Sequence, residues 1–249
     1  MSMDILTMII TFLIGVIASF IGASVGGGGL LVIPFLIFMG LPPQIAIATN
    51  KFGAIGLQFS STVKYWKEKK INWKYVLPFS IIAIITSFIG ANALLTIDKE
   101  ILKNLVGIVL LIMVPIIYKN KKIGLKKRTV SFTQKITGYI FYFFSMFWSA
   151  FFGGGGGIFN RYVQMKFFGM KIIEASATNK LPLTILTIIA TITFAIAGII
   201  DYTYGVVLLA GMVVGGYLGA RTAVKKGNTW VKKLFLVVIV VSAIKLLFF

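Results

Sequence analysis

The chain has 249 residues, of which 58% are hydrophobic and 12% are charged, against about 25% charged residues in an ordinary soluble domain. Without cysteine or histidine, and with six carboxylates, disulfides and thiolate metal sites are excluded, and hydrolytic metal sites and histidine-based catalysis lose their usual groups. A net charge of +19 would suit nucleic acid, but the basic residues cluster in short joints between apolar blocks. Composition therefore predicts an all-α polytopic membrane protein with the lipid bilayer, and no nucleic acid, as partner.

Ten apolar blocks follow one another along the chain, five in each half. In the first half they cover residues 5 to 23, 29 to 41, 45 to 63, 75 to 96 and 101 to 118. In the second half they cover residues 135 to 152, 157 to 168, 175 to 200, 203 to 222 and 230 to 249. Most approach the length of about 20 residues that crosses a bilayer, and we interpret the first as a retained helix rather than a signal peptide. The second block of each half is short, which favours a re-entrant helix or half of a broken one.

The second half repeats the first, without gaps, at an offset of 129 positions. The matched positions include Gly26 and Gly155, Thr49 and Thr178, Lys51 and Lys180, Tyr75 and Tyr204, Gly90 and Gly219, and Lys103 and Lys232. We therefore predict a first membrane repeat over 1–120, a basic cytoplasmic connector over 121–134 and a second membrane repeat over 135–249. An odd number of crossings per repeat would insert the second repeat in the inverted orientation, the arrangement of many secondary transporters.

The charges of the joints support this inversion. The lysine-rich joints at 64 to 74 and 118 to 128 are expected in the cytoplasm by the positive-inside rule. The joints at 96 to 100 and 199 to 204 are acidic or nearly neutral and are expected outside. At the repeat offset, the joint at 64 to 74 corresponds to the joint around Asp201, and the joint at 96 to 100 corresponds to the basic joint at 225 to 229. Equivalent joints thus carry opposite charge bias, as an inverted repeat requires, and the scheme places both termini on the outer face.

Two glycine runs, "SVGGGGLL" and "FFGGGGGIF", are predicted to break helices, because each glycine costs about 1 kcal/mol in a helix relative to alanine. A broken helix exposes N-terminal amides, which attract anions, whereas close helix packing is the alternative explanation. The candidate substrate-binding glycines are Gly26, Gly27, Gly28, Gly29, Gly154, Gly155, Gly156 and Gly157.

Two lysines, Lys51 and Lys180, lie inside apolar blocks, and neither has an acidic residue within one helical turn. A lysine at a membrane helix centre costs about 2.5 to 3.5 kcal/mol, and such residues are candidates for function. A bound anion would supply the missing counter-charge. Snorkelling, or hydrogen bonding to backbone carbonyls, is the structural alternative.

Further polar residues accompany the lysines. Thr49, Asn50, Thr178 and Asn179 precede them directly, and these side chains either orient a ligand or join helices by hydrogen bonds. Arg161 has Val32 as its equivalent in the first half. It either breaks the symmetry of the site or marks a cytoplasmic helix end.

These motifs resemble the sulfite exporter TauE/SafE family of bacterial and archaeal membrane proteins. A glycine cluster leads into "LLVIPFLIFMGLPPQIAIATNK", an Asn-Trp-Lys joint and "IGA" follow, and the glycine, Ala-Thr-Asn-Lys and Gly-Ala elements recur in the second half. The resemblance covers nearly the whole chain and is to the branch with Asn-Lys in both copies. The second copy departs at Val163, where the first has Pro34, and at "NRY", where small apolar residues are usual. The resemblance implies a transporter in a prokaryotic plasma membrane, with members linked to export of sulfite, sulfonates or sulfur-containing organic anions.

The expected function is therefore secondary transport of a small anion, through a site at the repeat interface near the middle of the membrane. We expect no cofactor and no enzymatic activity. An anion channel would share the basic lining and is the alternative. A membrane-embedded enzyme is less favoured, since its acid–base chemistry would rest on lysine alone. The sequence leaves the coupling ion and the oligomeric state open, a homodimer included.

Overall fold

The computed structural model describes residues 4–98 and 123–248, with side chains as far as residue 237. The described part is helical and contains no strand. Its helices are α1 (Ile5–Ser24), α2 (Gly29–Phe38), α3 (Pro43–Lys67), α4 (Trp73–Thr96), α5 (Phe132–Phe151), α6 (Gly156–Phe167), α7 (Ile172–Thr178), α8 (Lys180–Ile196) and α9 (Tyr202–Phe248). The predicted block at 101 to 118, with Lys103, and the first two residues of the predicted connector lie outside the described residues.

The predicted apolar blocks within the described ranges are confirmed as helices to within a few residues, with two differences. The third block of the second half is divided into α7 and α8 at Asn179, and the last two blocks form the single helix α9, whose backbone departs from helical geometry at Gly227. Among the described residues, four helical segments are long and apolar enough to cross a membrane: Ile5–Ser24, Trp73–Thr96, Ile172–Ile196 and Tyr202–Val237. The chain is an all-α, multi-pass membrane protein.

Helices α1 and α2 form a hairpin with a buried turn, here called the first hairpin. Gly26 and Gly27 reverse the chain with φ of 90° and 84°, a left-handed backbone that glycine adopts without steric cost. Gly28 packs against α1, since a Cβ there would lie 2.5 Å from the carbonyl oxygen of Ala18. With 10 residues, α2 is about 15 Å long and cannot cross a hydrocarbon core of about 30 Å.

Helices α5 and α6 form the second hairpin, whose turn also contains left-handed glycines, Gly153 and Gly155. Phe168, directly after α6, packs against Tyr139 of α5 and Phe79 of α4, with both pairs of ring centroids 5.0 Å apart. Tyr139 and Phe79 lie in the first half of their helices. The open end of the second hairpin therefore lies at the end of the bundle where α4 begins.

Two buried threonines join the halves through reciprocal hydrogen bonds. The backbone N–H of Asp201 donates to Thr49 Oγ1 at 3.0 Å, and the backbone N–H of Asn72 donates to Thr178 Oγ1 at 2.9 Å. The two donors, Asn72 and Asp201, are related by the offset of 129, and so are the two acceptors, Thr49 and Thr178. Asn72 directly precedes α4 and Asp201 directly precedes α9. Helix α3 therefore runs from the start of α9 towards the start of α4, and the α7–α8 segment runs in the opposite direction.

The two hairpins come from opposite ends of the bundle. In the first hairpin, a Cβ on Gly15 would lie 3.1 Å from the carbonyl oxygen of Leu208, near the start of α9. The chain then returns through α2 to α3, whose first part lies beside Asp201. The open end of the first hairpin thus lies where α9 begins, and the second hairpin opens at the other end. Their glycine turns meet inside the bundle.

We expect Thr49→Val and Thr178→Val each to destabilise the protein by about 1 to 2 kcal/mol, the cost of leaving a buried donor unpaired. Valine keeps the shape of threonine but cannot accept the N–H of Asp201 or Asn72. Thermal unfolding in detergent would measure the loss. Thr137→Val is the matched control, because the Thr137 hydroxyl donates only to a carbonyl of its own helix. If only one of the two variants were destabilised, the two contacts would not be equivalent.

Candidate functional site

A cavity of about 70 Å³ lies where the two glycine turns meet α3 and α8. The first turn contributes glycines 26–29, and the second contributes Gly153 and Gly157. Helix α3 adds Asn50, Lys51 and Gln58, α6 adds Arg161, and α8 adds Lys180, Leu183 and Thr187. By the usual criterion of roughly 15 Å³ per water, the cavity holds a few water molecules or one small anion.

The turns approach each other so closely that only glycine fits between them. A Cβ on Gly26 would lie 2.5 Å from the backbone carbon of Gly157, and a Cβ on Gly29 would lie 3.3 Å from the Cα of Gly154. Helices α2 and α6 both begin in these turns, and the first amides of a helix have no partner within it. The glycine runs thus serve close packing and also bring backbone amides near the cavity.

Lys51 and Lys180 are almost fully buried, with 4% and 1% of their surface exposed. The Lys51 ammonium donates to the carbonyl oxygen of Ser149, near the end of α5. Lys180 Nζ donates to Gln58 Oε1 at 3.2 Å and to the carbonyl oxygen of Gly22 at 3.5 Å. Neither lysine snorkels to the surface. Each instead reaches across to an oxygen in the other half of the chain.

Arg161 is completely buried and connects the two hairpins. Its Nε donates to Ser176 Oγ at 2.8 Å, its Nη1 to the carbonyl oxygen of Gly157 at 2.9 Å, and its Nη2 to that of Gly22 at 3.0 Å. The interpretation of Arg161 as a marker of a cytoplasmic helix end is wrong. Because its equivalent is Val32, this arginine makes the two sides of the cavity unequal.

The lining of the cavity is rich in basic side chains. Lys51, Lys180 and Arg161 line it together, and no carboxylate stands among its described lining residues. The partners of the three cations are neutral oxygens. Burying an ion costs several kcal/mol, which carbonyl dipoles offset only in part. An anion in the cavity would supply the missing negative charge.

Several predicted site residues lie outside this lining. Thr49 and Thr178 bind the backbone ahead of α9 and α4, as described above. Asn179 accepts hydrogen bonds from Tyr142 Oη at 2.7 Å and from Gln164 Nε2 at 3.0 Å. The remaining glycines, Gly154, Gly155 and Gly156, form the turn of the second hairpin without lining the cavity.

Two polar contributors were not found by sequence reasoning. Gln58 lies seven residues, about two turns, after Lys51 on α3, so its spacing on an apolar helix could have identified it. Ser149 contributes its backbone carbonyl to Lys51. Every residue has a backbone carbonyl, so the residue type at position 149 does not indicate that its carbonyl oxygen binds a lysine.

A multi-pass helical bundle that encloses a cation-lined cavity between two buried hairpins has the architecture of a membrane transporter. The chain belongs to the sulfite exporter TauE/SafE family, whose model matches residues 11–246. The predicted family resemblance is confirmed.

Relatives cover the chain almost completely. A probable membrane transporter protein of Haemophilus influenzae is 27% identical over 96% of this chain and 94% of its own length. The probable membrane transporter protein YfcA of Escherichia coli K12 is 26% identical over 96% of this chain and 89% of its own. A probable membrane transporter protein of Methanocaldococcus jannaschii is 30% identical over 81% and 76%. No solved structure matches the chain significantly.

Proposed function

We propose that the protein is a secondary transporter of small anions and that the central cavity is its substrate site. The observation that carries this proposal is the convergence of Lys51, Lys180 and Arg161 on one buried cavity without a carboxylate in its described lining. The substrate class is sulfite, a sulfonate or another sulfur-containing organic anion, and the direction is export. The description of the family supports both. The location is a prokaryotic plasma membrane, consistent with bacterial and archaeal relatives.

We also propose that the two halves form an inverted repeat with the cavity near the middle of the membrane. The reciprocal threonine bonds, the opposite directions of α3 and α7–α8, and the opposite openings of the two hairpins support this arrangement. The positive-inside rule favours a cytoplasmic location for the end where α4 begins. Rocking of one half against the other would then expose the cavity to each side in turn.

The burial of the three cations favours a transporter over a channel. Lys51 and Lys180 are at most 4% exposed and Arg161 is 0% exposed, so the three side chains are shielded from solvent in this conformation. A channel needs a continuous path, whereas an alternating-access transporter passes through a closed state. Counterflow of labelled sulfite in proteoliposomes distinguishes the two. Unlabelled sulfite inside the vesicles accelerates the uptake of labelled sulfite by a transporter but not by a channel.

Calorimetry on the purified protein tests the anion site. Sulfite, sulfate, methanesulfonate and acetate would be titrated in turn. We expect one sulfur oxyanion to bind with one site per chain and to bind more tightly than acetate. If none of the four binds, the cavity is not an anion site and the proposed function is wrong.

Thiol labelling tests which end of the bundle faces the cytoplasm, and the chain offers a clean background since it has no cysteine. We expect Asp4→Cys to react with an impermeant maleimide only from outside the cell, and Lys69→Cys only from the cytoplasm. Both positions are exposed. Reaction of the two from the same side would contradict the proposed topology.

A further inference from the structure

A second, open cavity of about 670 Å³ lies at the end of the bundle where α4 begins, and its wall is rich in lysine. We call it the lysine vestibule. Its lysines are Lys69, Lys70, Lys74, Lys127 and Lys171. All five are exposed. The vestibule is open to solvent, in contrast to the buried central cavity.

The one described carboxylate in the vestibule wall is already engaged. Glu174 Oε1 accepts a hydrogen bond from Asn72 Nδ2 at 2.7 Å and lies 3.6 Å from the ammonium of Lys127. The other four lysines make no ion pair with any carboxylate in the part of the chain that the structure describes. Their charge is therefore available to a ligand.

The opposite end of the bundle provides an internal comparison. At the offset of 129, Lys69, Lys70 and Lys74 correspond to Gly198, Ile199 and Thr203, and Lys171 corresponds to Pro42. The matched threonine contacts show that these segments are packed alike at both ends. Since the same fold is built there without lysine, packing does not require the four charges. At that end, Asp201 stands where the vestibule has Asn72.

The vestibule lies close to the central cavity. Glu174 of the vestibule wall and Lys180 of the cavity are six residues apart along α7–α8, which corresponds to about 9 Å at the rise of a helix. That separation is about one Debye length at physiological salt. The vestibule wall and the lining of the central cavity are thus adjacent along one segment of the chain.

We propose that the lysine vestibule is a first binding site for small oxyanions, which it collects from solution and passes to the central cavity. The inference rests on the proposed function. A cleft lined by one sign of charge raises the local concentration of the opposite ion and its rate of association. Because the described residues that match these lysines at the other end are not basic, the transporter has a lower KM for anions presented at the vestibule end. Phospholipid head groups offer the same phosphate-like chemistry, and the experiment separates the two sources.

Sulfite flux in proteoliposomes tests the role of the vestibule. The variant Lys70→Gln/Lys74→Gln/Lys171→Gln removes three unpaired charges from its wall. We expect the KM for sulfite at the vestibule face to rise about fivefold in low salt, with kcat unchanged, and the difference to vanish in 0.5 M salt, as expected for steering by exposed charges. Labelling at position 4 reports the orientation of the reconstituted protein.

The matched control is Lys67→Gln/Lys225→Gln/Lys226→Gln. It removes three exposed lysines from the same end of the bundle but outside the vestibule lining. We expect its KM to change by less than about twofold. Equal KM values for the two triple variants would overturn the proposal. An effect that appears in vesicles with phosphatidylglycerol but not in pure phosphatidylcholine would assign the lysines to lipid head groups and would overturn it as well.

A second measurement does not depend on transport. Trp73 lies in the vestibule wall and is 58% exposed. A Trp66→Phe/Trp230→Phe background leaves Trp73 and Trp148, and Trp148 is only 5% exposed and so is shielded from iodide. In this background, iodide is expected to quench the Trp73 fluorescence about threefold less when the three vestibule lysines are replaced, because the local anion concentration falls. Quenching by neutral acrylamide should not change. Unchanged iodide quenching would exclude an anion site in the vestibule. Failure of the parent protein to transport sulfite is a separate result, which would refute the proposed function.

Discussion

Replacing Lys51 or Lys180 by methionine is expected to weaken anion binding by about 1.5 to 3 kcal/mol, or roughly 10- to 150-fold, the usual contribution of a hydrogen bond to a charged group. Methionine keeps most of the apolar stem and removes the charge. Folding should persist and stability should rise slightly, since a buried cation is expensive in a membrane. The measurement is calorimetry with the tightest-binding anion of the four.

The two lysines come from different halves and face the same cavity. Their substitutions should therefore be non-additive in a double-mutant cycle, because both contact one ligand. Lys225→Met is the control, as this exposed lysine lies outside the cavity lining, and it should bind as the parent does. If both buried-lysine variants also bind as the parent does, these lysines are structural and the proposed site is wrong.

Gly26→Ala is expected to disrupt the site through the meeting of the two turns. A Cβ there would lie 2.2 Å from Arg161 Nη1 and 2.5 Å from the backbone carbon of Gly157. The backbone of Gly157 cannot rotate away as a side chain could, so the hairpins must separate. We expect a loss of about 2 to 5 kcal/mol in stability, from a left-handed alanine and an overpacked core together. Anion binding should fall at least tenfold, to be checked by calorimetry and thermal unfolding.

Gly40→Ala isolates the backbone contribution to that loss. Gly40 has φ of 94°, and a Cβ on it would meet no atom within 4 Å. This variant should cost only the conformational strain of about 1 to 2 kcal/mol and leave anion binding unchanged. The difference between the two variants then measures the contact between the turns. Equal losses would mean that the close approach of Gly26 and Gly157 contributes nothing.

Much of the architecture could be predicted from the sequence because membrane helices are marked by apolar length. The described helices follow the predicted blocks closely, and a repeat offset of 129 relates contacts as well as residues, as the threonine bonds show. Lys51 and Lys180 could be selected since a lysine within an apolar block is expensive wherever it points. The predicted block at 101 to 118 stays a prediction.

Part of the candidate site could not be predicted from the sequence, because it depends on which side chains the fold brings together. Arg161 has the sequence context of a helix end near Lys166, and its burial follows only from the packing of the second hairpin against the first. Thr49 and Thr178 are adjacent to Asn50 and Asn179 in sequence, but they turn towards the backbone of the opposite half. Neighbours on a helix point about 100° apart, so adjacency along the chain does not place two side chains in one cavity.

The sequence by itself determined the membrane class and the described helices, and it predicts the duplication, since hydropathy, glycine content and repetition can be read along the chain. Only the tertiary structure decided that two hairpins meet from opposite ends and that Lys51 bonds to the carbonyl oxygen of Ser149. It also decided that three cations share one cavity. The physical reason is that these contacts join backbone and side-chain atoms about a hundred residues apart, and such atoms approach each other only when close packing of the helices holds them there.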